Sequence, residues 1–258
     1  MSQVHPQALV DPQARLADDV EIGPFSVIGP DVEVGPGTWI GPHAVIKGPT
    51  RIGRENRIYQ FAALGEAPQH KGYQGEPTEL VIGDGNTIRE FVTCHRGTSQ
   101  GRGETRIGDH NWLMAYCHVA HDCRLGNGLL FANSASLGGH VDVGDYATLG
   151  GFALVHQFCR IGPYAFGGFG SGINRDVPPF VTVSGQMAAP HGINTVGLRR
   201  HGFSADRVRA IKRAYRLLYR RGLRLEEARE ALCRELGDWP DVQAIVGFID
   251  GTQRGLVR

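Results

Sequence analysis

Charge of one sign is nearly absent from this 258-residue chain: 27 Lys and Arg meet 26 Asp and Glu, leaving a formal net charge of +1. A nucleic acid is therefore not expected as the main partner, because polyanion binding draws on a basic excess. Long apolar runs are missing as well. No uncharged stretch approaches the roughly 18 residues that span a bilayer, and no basic-then-apolar leader opens the chain. The expectation is a cytoplasmic protein with no transmembrane segment. Cysteine is scarce and odd in number, five residues without paired spacing, which argues against a disulfide framework. The first two thirds of the chain also lack both helical spacing and strict alternation, so neither amphipathic helices nor ordinary half-buried strands organise it.

In their place is a beat of six. An apolar residue recurs at Val4, Val10, Leu16, Ile22, Ile28, Val34, Ile40, Ile46, Ile52, Ile58 and Leu64, then at Ile82, Ile88 and Cys94, and again from Ile107 through Leu113, Val119, Leu125, Phe131, Leu137, Val143, Leu149, Val155, Ile161 and Gly167 to Ile173. Of these 26 positions only Cys94 and Gly167 are not large and apolar. A short strand and a tight Gly-assisted corner fit such a period, which makes the chain a mainly β solenoid of stacked short strands, a parallel β-helix. With three hexads per coil it has about nine rungs, roughly 40 Å of prism at ~4.8 Å per rung. Cys117, Cys123 and Cys159 each fall four residues after the apolar position, a slot for small inward side chains, and so read as core filler.

The beat breaks twice and then ends. Ile82 follows Leu64 by eighteen positions and Ile107 follows Cys94 by thirteen. Surface excursions on a regular scaffold are where binding residues tend to sit. The solenoid is expected over residues 1–190, with excursions at 65–81 and 99–106, and a small α-helical domain over 191–258. Ser204 is a plausible N-cap of a helix whose apolar face is Val208, Ile211, Tyr215 and Leu218, with Arg209, Arg213, Arg216 and Arg220 nearly opposite. Two more helices are expected from Leu225 to Leu236 and from Pro240 to Ile249. Between Arg199 and Arg224 there are ten Lys or Arg and one acid, Asp206. That stripe is either a solvated face or a docking surface for an acidic protein.

Residues eighteen apart stack one rung above another. His121 lies below Gly139 and then Gln157; with the seven-residue insertion removed, Arg96 lies beneath it. His95, His118, His121, His140 and His156, five of the eleven histidines, thus gather on one edge. Three readings compete. His118, His121 and Cys123 supply metal-ligand types, but the cysteine slot points inward and no carboxylate cluster completes the set. Stacked imidazoles can also simply bond loop carbonyls. Alternatively His121 performs acid-base chemistry, with the adjacent Asp122 fixing its tautomer.

The segments His118-Val119-Ala120-His121-Asp122-Cys123, Ala153-Leu154-Val155-His156-Gln157-Phe158-Cys159, Gly75-Glu76-Pro77-Thr78, His95-Arg96-Gly97-Thr98 and Asp176-Val177-Pro178-Pro179 resemble the UDP-N-acetylglucosamine O-acyltransferase family, the first enzymes of lipid A biosynthesis. The likeness spans the chain to Arg254-Gly255-Leu256-Val257-Arg258 and belongs to the wider hexapeptide-repeat acyltransferases. It implies a left-handed β-helix and a homotrimer with sites between protomers. It also implies no bound cofactor and no metal: the phosphopantetheine thioester of acyl carrier protein is a substrate, and the basic helix is where that acidic carrier docks. In this pattern His121, polarised by Asp122, is the general base on the sugar 3-hydroxyl, and the Gly139 N–H holds the oxyanion. Gln69, His118, His140, His156, Gln157, Asn194 and Arg200 bind UDP-N-acetylglucosamine and the donor.

Departures from the pattern cluster on the sugar side. Many relatives read Asp-Leu-Lys-Tyr where this chain reads His70-Lys71-Gly72-Tyr73; Val196 replaces a common acid, and His201 a common arginine. Either these slots have drifted, with Lys71 reaching the same phosphate, or the acceptor is a 3-amino sugar acylated on nitrogen. A non-catalytic, acyl-carrier-binding scaffold is the reading from another class, and coenzyme A is an alternative donor. Phe169, among Gly167, Gly168, Gly170 and Gly172, lies three rungs above the coil of His121, roughly 14 Å away. In the family this place limits acyl length, which suggests a donor of about ten to twelve carbons; a packing contact with a neighbouring protomer is the simpler alternative.

Overall fold

The computed structural model describes residues 3–258 and shows one short strand for each hexad, twenty-six of them from Gln3–Val4 to Gly172–Ile173. They stack in parallel into three sheets at a register of eighteen, so that Gln3 pairs with Glu21, Leu9 with Val27 and Arg15 with Glu33. Backbone N–H groups donate to the next coil, as Leu9 to the Ser26 carbonyl and Trp112 to that of Leu129, both at 2.8 Å. The apolar hexad residue points inward, and Ile28, Ile46, Leu64, Cys94, Val119, Leu137 and Val155 form a column at most 3% exposed. Corner residues such as Phe91, Asp122 and His140 hold positive φ near 60°. A side chain tolerates that conformation only where the coils around it fix the turn.

The small-residue slot behaves as its spacing predicts. Cys117, Cys123 and Cys159 are fully buried, and burial pushes the Cys117 and Cys123 thiols up to about 12. The first excursion is shorter than the broken beat suggests, and the second lies three residues earlier than expected at the same length. Strand pairing persists through Ala63–Glu66 and resumes at Glu79–Ile82, and the second gap lies between Thr93–His95 and Glu104–Ile107. The loops are thus 67–78 and 96–103, because Glu66 still pairs with His95 and four residues of Glu79–Ile82 pair with Glu104–Ile107. Across the loops the register opens to Ala63 with Thr93 and Thr93 with His118, then returns to eighteen at His118 with Ser136.

At the upper end Val181–Ser184 joins one sheet in parallel, and Ala189–Ile193 folds back antiparallel upon it. A boundary at 190/191 therefore falls inside a strand. Four helices follow: α1 (Thr195–Arg200), α2 (Ala205–Tyr219), α3 (Leu225–Leu236) and α4 (Pro240–Asp250). Ser204 caps α2, its Oγ accepting from the Arg207 N–H at 3.3 Å. The short α1 was not expected from the sequence. The helices enclose their own core around Leu198, Ile211, Leu232 and Val246. The tail then returns to the solenoid, where Leu256 bridges Asp176 and the Thr252 hydroxyl donates to the buried Asp176 carboxylate at 2.6 Å. Among the described residues no helix is long and apolar enough to cross a membrane.

Candidate active site

The strand His118–Val119 ends in a corner whose second residue, His121, turns its ring out along the prism edge, while Asp122 turns back beneath it. Nδ1 of His121 lies 2.8 Å from the Asp122 carboxylate, and the side chains are 14% and 0% exposed. The loop 96–103 folds over this acid. Thr98 gives Asp122 a backbone N–H and its hydroxyl, the latter at 2.7 Å, and the Arg102 N–H donates at 2.7 Å. Burial alone would raise this carboxyl, but the hydrogen bonds from His121, Thr98 and Arg102 overcome it and hold it well below the usual carboxylate range. An ionised carboxylate only accepts, so Nδ1 donates to it, and in the neutral tautomer of the ring Nε2 keeps the lone pair.

One coil up, Gly139 is buried against that ring. A Cβ on it would fall 2.6 Å from His121 Cε1 and 2.8 Å from Nε2, so only glycine lets the imidazole settle here. No described residue accepts the Gly139 N–H. An unpaired donor beside a free imidazole nitrogen is a pairing suited to an oxyanion.

The histidine edge is real but uneven. His140 meets His121 edge-on at a centroid distance of 5.1 Å, and His95 meets His118 at 5.1 Å. His118 Nδ1 is 2.7 Å from the Thr93 hydroxyl. Burial, reinforced by neighbouring histidines, lowers the His118 pKa to about 4; burial likewise lowers those of His95 and His140. His156 stands exposed a coil higher, with Nδ1 3.1 Å from the Gln157 carbonyl oxygen, and Gln157 is exposed beside it.

The structure brings in residues the columns could not show. Loop 67–78 carries His70 to a centroid distance of 5.6 Å from His121, with Gln69 exposed next to it. Thr98, Arg102 and Thr105 all bond Asp122. The signal was the seven-residue insertion itself, whose Gly101 would clash with the Asp122 carboxylate if it bore a Cβ.

The His118, His121 and Cys123 ligand set does not assemble, since the Cys123 thiol points inward and donates to the Gly138 carbonyl at 3.2 Å. His121, Asp122 and His140 do bring ligand atoms within 4.8 Å of one another. Their carboxylate, however, already accepts from His121, Thr98 and Arg102.

Other expected residues stand apart within a single chain. Asn194 caps α1, accepting from the Gly197 N–H and donating to the Tyr164 carbonyl, both at 3.0 Å. Arg200 is exposed at the end of α1, and His201 packs against Tyr146 and Tyr164. Phe169 is 78% exposed on a different corner of the prism, edge-on to Phe152. On α2, Arg213, Arg216 and Arg220 are exposed, and Arg209 pairs with Asp206.

An imidazole held by a buried acid beside a glycine N–H can take a proton from a nucleophile and steady a tetrahedral intermediate, which on a hexapeptide solenoid defines the hexapeptide acyltransferases. Residues 104–139 match the bacterial transferase hexapeptide model, and residues 176–257 match domain 2 of UDP-N-acetylglucosamine O-acyltransferase. Over the full length of both chains the sequence is 83% identical to the acyl-[acyl-carrier-protein]–UDP-N-acetylglucosamine O-acyltransferase of Halorhodospira halophila and 63% identical to that of Alkalilimnicola ehrlichii. The crystal structure of UDP-N-acetylglucosamine O-acyltransferase from Moraxella catarrhalis superposes with a TM-score of 0.97 at 44% identity, covering 99% of each chain. This chain belongs to the acyl-[acyl-carrier-protein]–UDP-N-acetylglucosamine O-acyltransferase family.

Proposed function

We propose that the chain, as a cytoplasmic homotrimer, transfers a 3-hydroxyacyl group from acyl carrier protein to the 3-hydroxyl of UDP-N-acetylglucosamine, the first step of lipid A biosynthesis. The observation that carries this is the His121–Asp122 pair with Gly139 against its ring. Nε2 of His121 takes the hydroxyl proton as the sugar oxygen bonds to the thioester carbon. The Gly139 N–H donates to the resulting oxyanion. Collapse breaks the C–S bond, and His121 returns its proton to the departing phosphopantetheine sulfur. No acyl-enzyme and no bound cofactor enter, and the carrier's arm is consumed as substrate. Positioned base catalysis of this kind contributes roughly 10²- to 10⁴-fold.

Gln69, His118, His140, His156 and Gln157 line the same edge or its loop and are the sugar-nucleotide contacts of this chain. Asn194 and Arg200 lie away from that edge, which supports a site completed by a neighbouring protomer, where Arg200 meets the diphosphate. The exposed row Arg213, Arg216 and Arg220, with Arg209 beside it, is the docking surface for the acidic carrier. Phe169 ends the acyl path and favours a donor of about ten to twelve carbons. The test is mass spectrometry of products from purified protein given UDP-N-acetylglucosamine and carrier loaded with several chain lengths. O-acylated sugar nucleotide, with a preference that lengthens in Phe169→Gly, is expected. Absence of acylated sugar would refute the reaction, and an unchanged preference would refute the ruler.

A further inference from the structure

The loop 96–103 covers the acid partner of the base with donors. Thr98 is buried, and its backbone N–H reaches both Asp122 oxygens, at 3.1 and 3.2 Å. Its hydroxyl donates to Oδ2 at 2.7 Å, and that same Oδ2 takes Nδ1 of His121 at 2.8 Å. The other oxygen, Oδ1, takes the Arg102 N–H at 2.7 Å. One carboxylate oxygen is thus shared between the candidate base and a hydroxyl brought in from another part of the chain. The hydroxyl is fixed where it stands. The Thr98 carbonyl accepts from the N–H groups of Gly101 and Gly103 at 3.1 and 3.0 Å, and the Arg102 guanidinium ties the loop down, donating to the Asp122 carbonyl at 2.8 Å and to both oxygens of Asp142.

Sharing has a chemical consequence. A donor on a carboxylate steadies its charge, so the oxygen draws less strongly on its second partner. With the hydroxyl removed, Oδ2 turns more of its charge on His121, the imidazolium gains, and the ring keeps its proton to higher pH. Other titratable groups face the pair. His140 has Nε2 3.7 Å from Oδ2, and His118 with His95 lies on the strand side. Burial lowers all three, which keeps them uncharged near neutral pH. Loop 67–78 adds His70, 5.6 Å from the His121 ring, with Lys71 and Glu76 beside it, and the Arg102 charge is met by Asp142. The Thr98 hydroxyl bonds to Asp122 and to none of these groups.

We propose that Thr98 is a positioning residue of the acyl transfer, whose hydroxyl shares Asp122 Oδ2 with His121 so that the carboxylate orients the imidazole without locking it as the imidazolium. The proposal rests on the reading of His121 as the base. A hydrogen bond to a charged group is worth roughly one to two pKa units on that group, and part of this reaches the ring that shares the oxygen. The experiment measures kcat/KM for UDP-N-acetylglucosamine against pH, with acyl carrier protein as donor, in the intact wild type, Thr98→Val, Thr98→Ala and Thr98→Ser. The acid limb of that profile reports protonation of the base in the free enzyme.

The limb is expected to move up by about half a unit to one unit in Thr98→Val and Thr98→Ala, and to stay within about 0.2 unit of wild type in Thr98→Ser, which keeps the donor. A purely structural role would lower the rate at every pH and leave the limb in place. Thr98→Ala removes the hydroxyl without setting a methyl group in its place, so it carries the test where Thr98→Val does not fold. An unmoved limb in both overturns the proposal, and so does an equal shift in Thr98→Ser. Loss of folded protein in both would make the hydroxyl structural and overturn it too. If the wild type acylates no sugar, or shows no acid limb, the reading of His121 fails instead and the role of Thr98 falls with it.

Discussion

Gly139→Ala isolates the geometry of the base, because it adds one methyl group and no polar atom. The new Cβ would sit 2.6 Å from Cε1, 2.8 Å from Nε2 and 3.2 Å from Nδ1 of His121. Ordinary carbon contacts lie near 3.5–4.0 Å, so the ring must retreat by about 1 Å. It has little room to do so. Nδ1 is tied to Asp122 at 2.8 Å, and His70 and His140 pack against the ring. A displacement of about 1 Å at the reacting group costs about 100-fold in rate, and complete loss of the base costs up to about 10⁴-fold. Gly139 has no positive φ, so alanine adds no backbone strain of its own. Steady-state acyl transfer should show kcat lower by about 100-fold, with KM for the carrier changed by less than about threefold and the melting temperature nearly unmoved. A kcat within threefold of wild type would show that the ring is not the working group or that the corner yields freely.

Three further outcomes follow from other parts of the molecule. Arg213→Glu with Arg216→Glu should raise KM for acyl carrier protein at low salt and leave kcat and the sugar KM unchanged; an unaltered carrier KM would return that helix face to solvent. His118 is held neutral down to about 4 against an ordinary 6.5. The unfolded chain therefore binds a proton between those values that the folded chain refuses, so this group's contribution to stability is complete above about 6.5 and is lost as pH falls toward 4. Thermal melts of His118→Asn should lose stability less steeply than wild type across that window, and parallel curves would contradict the assignment. Leu113→Ala, at a fully buried position, should cost about 2–5 kcal/mol in denaturant unfolding, and a loss below 1 kcal/mol, roughly, would mean the column repacks.

The hexad spacing carried the fold because a strand and corner of six residues repeat the same local physics at every coil. The observed pairing at eighteen, from Gln3 with Glu21 to Leu154 with Gly172, follows directly from it. The same arithmetic placed Gly139 over His121 and sent Cys123 inward. It could not show where the excursions land. Thr98 reaches Asp122 across 24 residues, and His70 reaches His121 across a longer span. Those contacts depend on loop conformations set by Gly72 and Gly101, which no periodicity encodes. The six-residue α1 is too short to display a helical period, and the return of Thr252 and Leu256 to Asp176 is a long-range contact with no local signature.

The central claim is that His121 is the general base of acyl transfer, and it is tested most directly by measuring the transfer rate to UDP-N-acetylglucosamine in His121→Ala at saturating substrates. A fall of about 10²- to 10⁴-fold in kcat, with the melting temperature and oligomeric state of the wild type retained, is the predicted result. A kcat within about threefold of wild type would contradict the claim and leave the histidine edge a structural feature of the solenoid.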